Sequence, residues 1–135
     1  MWNKRTIKKL KRTYKKKLIK LAKTAKPWES GFLLEYMVEY LKFMRDFYML
    51  SLNDSLMIPE DTRLETLNTA IAEYNMYDHT EDKYYKVKPT KEGGCKIITL
   101  YDSPKENQEK YLEEEKLHWD NFWETLHTHF REWWD

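Results

Sequence analysis

Twelve lysines and arginines, and not one aspartate or glutamate, occupy residues 1–26. Within that run Ile7, Leu10, Tyr14, Leu18, Leu21 and Ala25 recur at spacings of three and four, the period of an α-helix with a single apolar face. Lysines and arginines cover the rest of the cylinder. The pattern limits what the segment can do: its narrow stripe can dock, and its charged remainder cannot enter a core. Pro27 marks the expected stop, because its ring lacks a donor and disfavours helical geometry just before it.

The overall charge conceals this segregation. The whole chain of 135 residues has 24 Lys+Arg against 23 Asp+Glu, a formal net charge of +1. Residues 27–135 therefore carry a net −11, set against +12 in the arm. Three uses of the basic helix follow. Its stripe packs on the body while its lysines meet acidic surface or water. It lies along nucleic-acid phosphates and gains affinity by releasing counterions. It attaches to an anionic membrane surface or an acidic partner groove. Stacking on single strands is weakly supported, since only Trp2 and Tyr14 accompany the lysines.

The body reads as helical. From Ser30 to Leu50 apolar residues cover all but a stripe of Glu35, Glu39, Lys42 and Asp46, so this helix is expected in the middle of a bundle. The same charges exclude a membrane span over Phe32 to Leu50. Residues 51–58 read as a connection with turn residues Asn53, Asp54 and Ser55. A third helix starts at Pro59, or at a capping box formed by Thr62 and Glu65. Leu64, Leu67, Ile71 and Tyr74 form its stripe, and the polar run Asp78 to Lys83 is expected to end it. Around residues 84–101 the period changes: Tyr84 to Lys88 and Cys95 to Tyr101 favour strands, with Pro89, Gly93 and Gly94 as turn material. Ser103, Pro104 and Glu106 open the last helix, whose face includes Leu112, Trp119, Phe122, Trp123, Leu126, Phe130 and Trp133. Its acidic residues, Glu109, Glu113 and Glu114 among them, make it the expected electrostatic complement of the first helix.

The fold expected is mainly α: a compact four-helix domain, residues 1–26 a basic arm and 27–135 the body, with a small β-hairpin between helices three and four. Aromatics make up 16 % of the chain, which argues against disorder, and only three glycines and four prolines argue against a many-turned β fold. A lone Cys95 excludes an internal disulfide framework. No uninterrupted apolar run with a cleavage site opens the chain, so a cytoplasmic setting is expected.

No catalytic signature emerges. Glu115 with His118 and Glu124 with His127 have the i, i+3 spacing of di-metal helices. The two histidines are nine positions apart, however, and face opposite sides of one helix. Asp78, Thr80 and Asp82 lack the glycine and distal glutamate of a calcium loop. Cys95 beside Lys96 has no nearby base and is expected to be a small buried or half-buried residue. Trp119, Trp123, Phe130 and Trp133 are at core spacing, whereas Trp2, Trp28 and Trp134 are candidates for exposed anchors.

The strings Phe43-Met44-Arg45-Asp46-Phe47-Tyr48, Arg63-Leu64-Glu65-Thr66-Leu67, His118-Trp119-Asp120-Asn121-Phe122-Trp123 and Trp133-Trp134-Asp135 resemble small uncharacterised proteins of tailed phages and gut metagenomes. The resemblance covers the second and third helices and the C-terminus. It implies a phage-borne accessory protein acting inside a bacterial cell, and supplies no substrate.

The expected function is non-enzymatic binding of a protein partner, or of a second copy, through segregated charge and exposed aromatics. The alternative is nucleic-acid binding along the first helix. Candidate binding residues are Lys4, Arg5, Lys8, Lys9, Lys11, Arg12, Lys15, Lys16, Lys20 and Trp134, with no cofactor and no metal. The two readings differ in whether the basic face is open or neutralised by Glu109, Glu113 and Glu114.

Overall fold

A computed structural model describes residues 4–24, 30–53 and 62–134. Its elements are α1 (Lys4–Thr24), α2 (Ser30–Asn53), α3 (Arg63–Tyr84), β1 (Tyr85–Pro89), β2 (Cys95–Thr99) and α4 (Pro104–Trp134), in chain order. The expected four helices and hairpin are all present. The ends of the stripe and stop of α1 at Ala25 and Pro27, the Asp54-Ser55 turn, Pro59, Trp2 and Trp28 lie outside the described residues.

α3 and α4 form the most extensive contact, α2 lies against α3, and α1 lies against α2. The core is where α2, α3 and α4 meet: Val38, Leu41 and Met44 from α2, Leu67, Ala70, Ile71 and Tyr74 from α3, and Phe122 and Trp133 from α4. Polar groups fix the junction near the end of α4. The Trp133 indole donates to Thr66 Oγ1 at 2.8 Å, and Tyr48 Oη donates to the Trp133 carbonyl.

α2 explains the layering. At about 100° per residue, Val38, Leu41, Met44 and Tyr48 fall on one side, and Tyr36, Tyr40, Phe43 and Phe47 on the other. A helix apolar on two sides needs two covers, and α1 supplies the second. α2 is the middle helix that its composition predicts, continuing three residues past the expected Leu50.

Both ends of α3 differ from expectation. Thr62 precedes α3, but its φ of −94° and ψ of 5° are not the extended geometry of a capping residue, and its side chain makes no cap hydrogen bond. The run Asp78 to Lys83 does not end α3, which continues to Tyr84. The cause is burial beyond Tyr74: Tyr77 packs on Trp119, Thr80 and Tyr84 are buried, and Lys83 bonds Glu114. A buried threonine that satisfies its hydroxyl on the Met76 carbonyl is invisible to an apolar count. By contrast, Ser103 acts as expected, its Oγ accepting the Glu106 N–H at 3.3 Å.

The hairpin is antiparallel, pairing Tyr85 with Thr99 and Pro89 with Cys95. It is thus slightly shorter than the expected span, with Pro89 ending a strand rather than forming the turn. Gly93 sits at φ +87°, a conformation that favours glycine, and Thr90 closes the loop through bonds to Gly94. The hairpin base is tied to α4 by Asn107, which is fully buried: its Nδ2 donates to the Tyr84 carbonyl and its Oδ1 accepts the Tyr101 N–H. Beyond that base the hairpin stands away from the core, which leaves Cys95 exposed rather than buried. Phe130 also differs from its expected core placement, remaining exposed together with Leu112, because the α4 stripe is wider than the surface that α3 and α2 cover.

Candidate functional site: the basic face of α1

α1 is held by a buried tyrosine. Tyr14 Oη donates to Asp46 Oδ2 at 2.7 Å, and its ring meets Phe43 edge-on at 5.3 Å between centroids. Burial and the adjacent Asp46 carboxylate push its pKa well above the ordinary tyrosine value, so the phenol remains a donor. Arg45 Nε bonds the other Asp46 oxygen at 3.0 Å and orients it. Ile7, Leu10, Leu18 and Leu21 are half-buried along the same stripe.

With the stripe docked, the charges point outward. Lys4, Arg5, Lys8, Lys9, Lys11, Arg12, Lys15, Lys16 and Lys20 are all exposed on α1. At about 100° per residue they cover roughly half of the cylinder, opposite Leu10, Tyr14 and Leu21. Among the described residues, no carboxylate forms a salt bridge with Lys8, Lys9, Lys11, Arg12, Lys15, Lys16 or Lys20. Lys17, on the flank, lies over the Tyr14 ring at 4.9 Å. Trp134, the remaining sequence candidate, ends α4 beside Trp133, whose carbonyl accepts from Tyr48 of α2, and its own side chain lies outside the described residues.

Among the described residues, no salt bridge joins the lysines of α1 to Glu109, Glu113 or Glu114 of α4 as expected. Glu114 bonds Lys83 at 2.7 Å and Glu113 lies 3.8 Å from Lys110, both away from α1. The contact with Lys83 holds the Glu114 carboxyl below its usual pKa. Magnitudes explain the choice of partner. An exposed ion pair contributes about 0–1 kcal/mol, whereas burying one large apolar side chain contributes roughly 1.5–3 kcal/mol. The second apolar side of α2 therefore outweighs charge complementarity in deciding where α1 docks.

Two grooves flank the α1–α2 contact. One, of about 370 Å³, is lined by Lys11, Lys15 and Ile19 of α1 and by Tyr36, Tyr40 and Phe43 of α2, among others. The other, of about 340 Å³, includes Thr6, Lys9, Asp46 and Met49. Sequence reasoning missed Tyr36 and Tyr40 as neighbours of the lysines. The available signal was that α2 has a second apolar side, beyond what one core contact requires.

Other chemistry is thin. Among the described residues no cluster of His, Cys, Asp and Glu could hold a metal, and no helix is long and apolar enough to cross a membrane. His118 instead bridges α4 to α3 through Glu73 at 2.8 Å, and His129 bonds Glu132 at 3.0 Å. Comparison with known proteins finds no match to any family model, curated protein or solved structure.

Proposed function

We propose that the protein binds nucleic acid, with the exposed face of α1 tracking phosphates. One observation carries this reading: a docked helix of 21 residues carries a lysine- and arginine-rich face that the described body leaves largely without salt bridges. Like charges at i, i+4, such as Lys4 with Lys8, Lys8 with Arg12 and Lys16 with Lys20, repel one another and weaken the helix. Its N-terminal turn has no acid to offset the positive end of the helix dipole. A polyanion relieves both penalties. At 1.5 Å per residue α1 is roughly 31 Å long, about one turn of duplex DNA. The protein acts by binding rather than catalysis. The phage resemblance fits an accessory protein in a bacterial cytoplasm, where nucleic acid is abundant.

The test is anisotropy of labelled DNA and RNA oligonucleotides at low salt, comparing the native chain with Lys8→Glu/Lys16→Glu. The native chain binds and the variant binds at least tenfold more weakly; equal binding, or none by the native chain, refutes the reading.

A second reading, contact with a protein partner or a second copy, is favoured by the hairpin. Val87 and Ile97 pair across the two strands and are 66 % and 65 % exposed. An apolar cross-strand pair on a two-stranded sheet invites another surface. Light scattering of the native chain and of Val87→Lys distinguishes self-association, which the substitution abolishes.

A further inference from the structure

We propose that the groove beside α1 receives unstacked bases, making the preferred ligand single-stranded nucleic acid. This rests on the phosphate-tracking reading and adds to it the form of the strand. Single-strand binding needs a basic track with aromatic faces next to it. The sequence of α1 supplies only the track, but the fold brings the rings from α2.

Tyr36 and Tyr40 are 39 % and 36 % exposed and line the same groove as Lys11 and Lys15. They are four residues apart and so lie one above the other along α2. Phe43 and Tyr14 form the floor behind them, locked edge-to-face, so the groove is built on the contact that docks α1. Ile19, exposed amid the basic face, extends its apolar lining toward the lysines. The arrangement fits an anionic chain bearing flat apolar groups: phosphates meet the lysines while bases turn inward onto the rings. Duplex DNA, whose bases are already stacked, can use only the lysines.

The experiment measures binding of the full-length chain to a labelled oligothymidylate and to a duplex of equal length, at matched salt. The native chain is expected to prefer the single strand by about tenfold or more, in line with stacking of one or two bases. Tyr36→Ala/Tyr40→Ala is expected to remove that preference and leave duplex binding unchanged. Tyr36→Phe/Tyr40→Phe, which keeps the ring faces, is expected to retain it and guards against an effect of misfolding. Equal native affinity for the two forms overturns the groove assignment alone, as does a single-strand preference that survives the alanine variant. Loss of the preference in the phenylalanine variant overturns it too, by assigning the effect to the hydroxyls. Loss in the alanine variant of binding to phosphatidylglycerol vesicles, with single-strand binding intact, overturns it in favour of a membrane. Absence of binding to either nucleic acid at low salt overturns the phosphate reading itself.

Discussion

Tyr14 shows how one side chain sets the exposure of a whole face. It was legible as a member of the apolar stripe, but its bond to Asp46, 32 positions away, was not, because Asp46 reads as part of the polar stripe of α2. Tyr14→Phe is expected to cost about 1 kcal/mol, since Asp46 keeps Arg45 and access to water. The loss should appear in hydrogen exchange as faster opening of residues 4–24, with the amides of α3 unaffected. Asn107 is a second residue whose role only the fold reveals. Asn107→Ala leaves the Tyr101 N–H without its acceptor and is expected to destabilise by roughly 1–3 kcal/mol in denaturant melts.

At the scale of elements, spacing served well wherever one apolar stripe met one partner. The amphipathic α1 was legible for that reason, while the start of α4 was legible from its capping residues Ser103 and Pro104 and the hairpin from its strand formers and turn glycines. Spacing misled where burial involved polar groups, as at Thr80 in the last turns of α3, and it could not assign α1 to α2 rather than α4. That choice depends on α2 having two apolar sides, a property shared among helices and absent from any single periodicity. The charge pattern of α1 has a measurable consequence. In Lys8→Glu/Lys16→Glu each new acid faces basic neighbours four residues away on both sides, Lys4 and Arg12 for the first, Arg12 and Lys20 for the second. At about 0.2–0.5 kcal/mol per pair, the helix gains roughly 1–2 kcal/mol. The variant should therefore melt no lower than the native chain while binding nucleic acid worse, opposite in sign to a damaged fold.

Across the molecule, tyrosines line the α1–α2 and α3–α4 contacts and the hairpin base. Burial raises Tyr74 to about 12, with Asp78 and Glu35 adding to it. Tyr77 and Tyr84 are raised chiefly by burial, and Tyr111 chiefly by its bond to Glu115. Each phenol holds its proton more tightly folded than unfolded. Their stabilising contribution is thus complete below about pH 10, the unfolded value, and is lost as pH rises through the folded values. Thermal melts should fall steeply from pH 10 toward 12, and Tyr74→Phe should flatten that decline. An unchanged slope in the variant would show that Tyr74 titrates as freely as in the unfolded chain.

The layering also leaves the molecule with a positive edge, α1, separated from acids engaged on α3 and α4. The most direct test of that edge is the salt dependence of DNA binding. If α1 tracks phosphates, log K falls linearly with log salt, and the slope becomes shallower by about two in Lys8→Glu/Lys16→Glu, roughly one unit for each contact removed. An unchanged slope and affinity in that variant, or no binding by the native chain at low salt, would contradict the assignment of α1 as the nucleic-acid interface.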